Sequence, residues 1–193
     1  MKVAILKYNA GNIYSVQLAL NRLGYPAILT DEPQVLEAAD KIIFPGVGEA
    51  RSAMAYLQQR GLDAWLVQTR QPVLGICLGL QLLCEFSEEN QTPGLGIFPV
   101  RVRRFPPKGK VPHMGWNTIG QLKGPLFNGI SEGAYVYFVH SYYPELTPLT
   151  TARTEYLVPF SAAIERDNFF GVQFHPEKSG TVGEKILRNF LEL

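Results

Sequence analysis

Cys77 stands between two glycines, in Gly75-Ile76-Cys77-Leu78-Gly79, where one short apolar run gives way to another. Pro72-Val73-Leu74 before it reads as a strand and Leu80 to Phe86 after it as a helix, so the cysteine sits at the apex of a sharp turn. Glycines on both sides suit a backbone too tightly turned to admit a Cβ. A thiol at such an elbow is lifted clear of the sheet, and the positive end of the new helix favours thiolate over thiol. This nucleophile needs a base. The chain has three histidines, His113, His140 and His175. Only His175 ends a β-prone apolar run, Phe169 to Phe174, and has a carboxylate two residues on, Glu177. Pro176 stops the strand and restricts the backbone between them. Glu177 can then turn back to one ring nitrogen, which fixes the tautomer and stabilises the imidazolium. Cys77, His175 and Glu177 together have the types needed for a Cys-His-acid triad. His113, beside Pro112 in a loop, and His140, inside a β-prone run, read as structural histidines.

The chain has 193 residues, 46% hydrophobic and 18% charged, which suits one folded unit, residues 1–193, with a substantial core. A net charge of +1 gives no electrostatic reason to propose nucleic acid or an anionic membrane as partner. Met1 to Lys7 turns polar too soon for a signal peptide, and no apolar run spans a bilayer, so the expected compartment is the cytoplasm. The two cysteines, Cys77 and Cys84, are expected on one helix about 10 Å apart, too far for a disulfide. Cys84 reads as a buried core thiol. Without ligand spacing around them, no metal is expected, and no cofactor. Gly46-Val47-Gly48 lacks the third glycine of a dinucleotide fingerprint.

The elements that must position the triad alternate. Val3 to Tyr8, Ala27 to Thr30, Lys41 to Phe44 and the run into Cys77 read as strands. Ile13 to Leu23, with Asn12 as N-cap, Gln34 to Ala39, Ala50 to Gln59 and Asp63 to Arg70 read as helices. This order predicts an α/β fold with an open, mostly parallel, doubly wound sheet and helices on both faces. Ligands bind such sheets beyond the carboxyl ends of the strands. The loops at Pro45-Gly46-Val47-Gly48, Cys77-Leu78-Gly79 and His175-Pro176-Glu177 all follow strands and converge there. From Gly94 to Arg166 the β-prone pieces Ile97 to Phe105, Tyr135 to Tyr143 and Ala162 to Arg166 predict an antiparallel or mixed extension. Thr181 to Leu193 closes as a helix with Ile186, Leu187, Phe190 and Leu191 inward.

The pattern Gly-x-Cys-x-Gly-x-Gln with a distant Phe-His-Pro-Glu resembles the triad-type, class I glutamine amidotransferases along the whole chain. Further stretches resemble one branch, the glutaminase subunits of imidazole glycerol phosphate synthases in histidine biosynthesis: Tyr8 to Ile13, Pro45 to Gly48, Val111 to Asn117 and His175 to Ser179. Glu49-Ala50 departs from the expected small residue and aromatic. The resemblance implies hydrolysis of glutamine to glutamate and ammonia. It implies an oxyanion held by the N–H groups of Leu78 and Val47, and substrate contacts from Gly48, Gln81, Glu89, Ser141 and Tyr142. It also implies a partner, the cyclase, a (β/α)8 barrel that consumes the ammonia, meeting Asn12, Trp116, Tyr135 and Lys178.

Each implied role has a plainer counterpart. Glu89 also reads as a solvated helix-end charge, Trp116 as a core or edge aromatic and Lys178 as a surface charge. Arg101, Arg103 and Arg104 read more readily as a solvated strand face than as a docking patch. Three other functions stay open: a glutaminase serving another synthase, a self-standing cysteine amidohydrolase, and a regulatory module that keeps the fold.

Overall fold

The computed structural model describes residues 1–8 and 13–193; Asn12 lies outside them. In chain order the elements are β1 Val3–Leu6, α1 Ile13–Arg22, β2 Ala27–Thr30, α2 Pro33–Glu37, β3 Lys41–Phe44, α3 Ala50–Gln59 and α4 Leu62–Gln68. Then come β4 Val73–Ile76, α5 Leu78–Leu83, β5 Cys84–Ser87, β6 Thr92–Pro93, β7 Phe98–Arg104, β8 His113–Ile119 and β9 Ala134–His140. The chain closes with β10 Tyr142–Pro144, β11 Thr150–Tyr156, β12 Val158–Arg166, β13 Phe169–Val172 and α6 Gly180–Leu191.

Seven strands form the main sheet in the order β11-β12-β13-β4-β3-β1-β2. It is parallel from β13 to β2, with β11 and β12 antiparallel at one edge. Its central strands are apolar on both faces because both faces are covered. Along β1, Val3 and Ile5 enter one apolar layer, with Val16 and Leu20 of α1 and Phe190 of α6; Ala4 and Leu6 enter the other, with Met54 and Leu57 of α3 and Leu66 of α4. The side-chain period of two thus builds one core above the sheet and one below it.

Beside this sheet lie a four-stranded sheet, β10-β7-β5-β6, and a two-stranded ribbon, β8-β9. The expected extension therefore divides: β11 and β12 extend the main sheet, while β7 and β9 belong to separate layers. The helix expected over Leu80 to Phe86 ends at Leu83, and Cys84 to Ser87 is strand β5. Pairing of β5 with both β6 and β7 takes the backbone bonds that a longer helix would have used. Cys77 and Cys84 therefore do not share a helix; both are free thiols, and Cys84 is fully buried. His113, expected in a loop, is the first residue of β8 and pairs with His140 of β9.

The elbow is held by close backbone contact. A Cβ on Gly79 would strike the Phe44 carbonyl at the end of β3, and one on Gly75 would come within 2.8 Å of the Leu80 nitrogen. Gly79→Ala must push β3 and α5 apart and is expected to destabilise the fold by about 1–3 kcal/mol. Chemical denaturation checks this; an unchanged midpoint would mean that the turn is not seated on β3.

Candidate active site

Two adjacent strands, β4 and β13, end side by side and bring Cys77 next to His175 and Glu177. Cys77 leaves β4 with φ 53° and ψ −108°, a conformation rare for a residue with a Cβ. Its N–H is held by the Val172 carbonyl of β13 at 2.8 Å. Backbone held in so sparse a region costs about 1–3 kcal/mol and persists where the surroundings over-determine it. The glycine contacts and the sheet bond do so here, and they leave Sγ facing a pocket of about 250 Å³.

His175 follows β13 by three residues. Its Nδ1 bonds Glu177 Oε1 at 2.8 Å, and both side chains are only 2% exposed. A carboxylate accepts, so Nδ1 carries a proton, and Nε2 is the nitrogen left without a hydrogen-bond partner. Burial pulls the imidazole pKa down, but the charge and hydrogen bonding of Cys77 and then of Glu177 outweigh it and lift it to about 10. At neutral pH the ring is therefore an imidazolium, set between Cys77 and Glu177. Ser179 locks the turn: its hydroxyl donates to the His175 carbonyl at 2.6 Å and accepts from the Tyr137 N–H at 2.9 Å. The Tyr137 carbonyl accepts the His175 N–H at 2.9 Å, so β9 is tied to the triad turn at both backbone groups.

The other histidines are different in kind. Burial lowers His113 to about 4 and His140 to about 3, so both are neutral. They bond each other, Nδ1 of His113 to Nε2 of His140, at 3.2 Å.

Val47, Gly48, Leu78, Gln81, Glu89, Ser141 and Tyr142 all line the pocket beside Cys77. Glu89 is not a freely solvated helix-end charge. Its Oε2 accepts the Ala50 N–H at 2.8 Å, and burial raises its pKa. The Leu78 N–H already has an acceptor, the Gly46 carbonyl at 3.3 Å. The Gly46-Val47 peptide thus turns its carbonyl, not its N–H, toward the turn after Cys77. Tyr8 backs this loop, its hydroxyl donating to the Pro45 carbonyl at 2.5 Å. The unexpected Glu49 caps α3, accepting from the N–H groups of Arg51 at 3.0 Å and Ser52 at 2.8 Å. Side-chain donation from Asn90, then those backbone bonds, hold its carboxyl at about 2.

Trp116 and Tyr135 project from the outer face of the β8-β9 ribbon, 55% and 59% exposed, next to Met114 at 59%. Trp116 is therefore not a core aromatic. Lys178 is exposed on the turn after His175. Arg103 is paired with Glu88 and Glu145, and Arg101 lies over the Phe86 ring, so both arginines are engaged by the neighbouring strands β5 and β10 or the residues just beyond them.

One residue at the site was not singled out from sequence. Gln173, fully buried, donates from Nε2 to Cys77 Sγ at 3.5 Å. A polar side chain inside the apolar run Phe169 to Phe174, one step past a strand end, was the available signal.

The family model "Glutamine amidotransferase class-I" matches residues 6–193. The chain is 58% identical to the imidazole glycerol phosphate synthase subunit HisH of Bacteroides fragilis strain YCH46, over 100% of both chains. It is 51% identical to the protein of the same name from Moorella thermoacetica, over 99% of this chain and 94% of that one. Among solved structures, a protein described as a glutamine amidotransferase superposes with TM-score 0.77 at 21% identity, covering 100% of this chain and 98% of that one. A glutamine amidotransferase from Thermotoga maritima gives a TM-score of 0.67 at 16% identity, covering 100% of this chain and 83% of that one. The chain belongs to the class I glutamine amidotransferase family, in its imidazole glycerol phosphate synthase HisH branch.

Proposed function

We propose that this chain is the glutaminase subunit of an imidazole glycerol phosphate synthase, hydrolysing glutamine and passing ammonia to a cyclase subunit. The observation that carries this reading is the buried His175-Glu177 pair beside a cysteine held at a strained elbow, with Gln81, Glu89, Ser141 and Tyr142 on the same pocket. The Cys77 thiolate attacks the side-chain carboxamide carbon of glutamine, forming a C–S bond. His175 gives its Nε2 proton to the departing nitrogen, the C–N bond breaks, and ammonia leaves a thioester. The now neutral imidazole takes a proton from water, whose oxygen attacks the thioester. Collapse releases glutamate and restores the thiolate. Glu177 keeps its place throughout and stabilises the imidazolium. Glu89 suits the substrate's α-ammonium group.

Each tetrahedral intermediate carries an oxyanion, for which the Leu78 and Val47 N–H groups are the donors in this reading. The bond from Leu78 to the Gly46 carbonyl supports a resting state in which that hole is closed. Rotation of the Gly46-Val47 peptide would open it, and the partner drives that rotation. Trp116, Tyr135 and Lys178 form the described part of the docking face. The two backbone bonds of Tyr137 link that face to the triad turn.

Glutamate release is the direct assay, with the purified chain alone and with an imidazole glycerol phosphate cyclase and its nucleotide ligand. The expected rise on adding both is at least about 10²–10³-fold, the value of one oxyanion-hole donor, and Cys77→Ser abolishes it. Full turnover by the chain alone, unchanged by the cyclase, would favour an independent amidohydrolase. Gly46→Ala cannot probe the loop cleanly, because its Cβ would collide with the Tyr8 hydroxyl. Gly48→Ala can: its Cβ points into open space, but φ is +119°. Strain there of about 1–3 kcal/mol is expected to change the ratio of activated to basal rate by about tenfold. An unchanged ratio would remove the loop from the control mechanism.

A further inference from the structure

We infer that Gln173 is a positioning residue for the nucleophile, donating a carboxamide hydrogen bond that aims and stabilises the Cys77 thiolate and belonging to a chain of hydrogen bonds, anchored at the Tyr142 carbonyl, that fixes its orientation. This rests on the reading of Cys77 as the nucleophile. Gln173 and Cys77 are the first residues beyond two adjacent parallel strands, paired as Val172 with Ile76, so the carboxamide is delivered to the sulfur by sheet register. Gln173 Nε2 lies 3.5 Å from Sγ, and its Oε1 accepts from Gln81 Nε2 at 2.9 Å.

The direction of every link follows from chemistry. Gln81 Nε2 donates one hydrogen to Gln173 and the other to the Tyr142 carbonyl at 2.9 Å. Both hydrogens are committed, so Oε1 is what Gln81 offers the pocket. The Tyr142 carbonyl, which only accepts, also takes Nδ1–H of His140 at 2.7 Å. His140, neutral, must then accept at Nε2, so His113 donates from Nδ1. His113 accepts at its own Nε2 from Asn117 Nδ2 at 3.4 Å. Asn117 is in turn fixed by the Glu155 carbonyl and the Thr118 N–H. The carboxamide of Gln173 therefore has one orientation, with N–H on sulfur. The two buried histidines act as the neutral middle of this chain. Asn117 neighbours Trp116, so the chain runs from the β8-β9 ribbon to the sulfur.

The test uses the full chain without glutamine or cyclase and reads alkylation of Cys77 by iodoacetamide against pH. Cys84 does not compete, because it is fully buried and burial pushes its thiol well up. The titratable groups bearing on the sulfur are His175, Tyr8 and, behind the imidazole, Glu177, with Glu89 and His140 on the pocket wall. All are kept in the variants. Gln173→Glu matches the shape but puts a carboxylate on sulfur; Gln173→Leu removes the donor without adding charge. Both are expected to slow alkylation at neutral pH by about 10–100-fold, the value of a hydrogen bond to a charged group, with recovery at higher pH. In the glutaminase assay kcat falls in step while KM changes little. Alkylation matching the parent chain across pH in either folded variant would overturn the assignment, while leaving the glutaminase reading standing. In the parent chain, the Gln173 side-chain amide proton resonances are expected to shift as Cys77 is titrated. Resonances that ignore that titration would also overturn it, whether or not the variants fold.

Discussion

The contact on which this molecule depends is backbone on backbone: α5 begins so close to the end of β3 that the residue over the Phe44 carbonyl has to be glycine. That approach forces the chain to reverse within one residue of β4, and the reversal is absorbed by Cys77 at positive φ. A non-glycine residue in that conformation is unfavourable in isolation. It is tolerated because the Val172 carbonyl of β13 takes the Cys77 N–H and because Gly75 admits the underside of α5. The neighbours of β4 therefore bring the rest of the site within reach. β3 supplies the Pro45 to Gly48 loop, and β13 supplies Gln173, His175 and Glu177. The site is a property of three adjacent parallel strand ends, the position where such sheets place their ligands.

Burial acts on the three histidines with opposite results, and the difference lies in their partners. All three are nearly inaccessible. His113 and His140 have only neutral partners, so desolvation keeps them uncharged and they serve as hydrogen-bond links. His175 has Cys77 on one side and Glu177 on the other, and their charge and hydrogen bonding overcome the same desolvation. The carboxylate also pins the tautomer, so that one nitrogen alone is available for proton transfer. A buried ion group of this kind is costly unless every charge is matched, which ties the protonation of His175 to the presence of both neighbours.

The parallel part of the main sheet was legible because β1, β3 and β4 are short apolar runs, each followed by a helix, whereas the edge strand β11, Thr-Thr-Ala-Arg-Thr-Glu-Tyr, has no such run and was not foreseen. The elbow was legible because Gly75, Cys77 and Gly79 are spaced as steric necessity requires, and the His175-Glu177 pair because the partners are two residues apart. The rest depended on distant pairing. The run Leu80 to Phe86 has only two polar residues, Gln81 and Glu85, at a spacing that suits helix and strand alike, so its period could not show where α5 gives way to β5. In β8, His113-Met114-Gly115-Trp116-Asn117 has no apolar alternation, because its inner face carries a polar chain rather than a hydrophobic row. Gln173 was hidden for a related reason: its partner Gln81 is 92 positions away, and nothing local marks the pair. The orientation of the Gly46-Val47 peptide, with its carbonyl on the Leu78 N–H, is a backbone choice that residue types do not specify.

The central claim is that Cys77 forms a covalent bond to the acyl carbon of glutamine. Rapid acid quenching during turnover with the cyclase and its ligand present, followed by proteolysis and mass spectrometry, tests it most directly. A glutamyl thioester is expected on the peptide that contains Cys77, and it is lost when base is added before digestion. Steady glutamine turnover with no adduct on that peptide, or with the adduct on another residue, would contradict it.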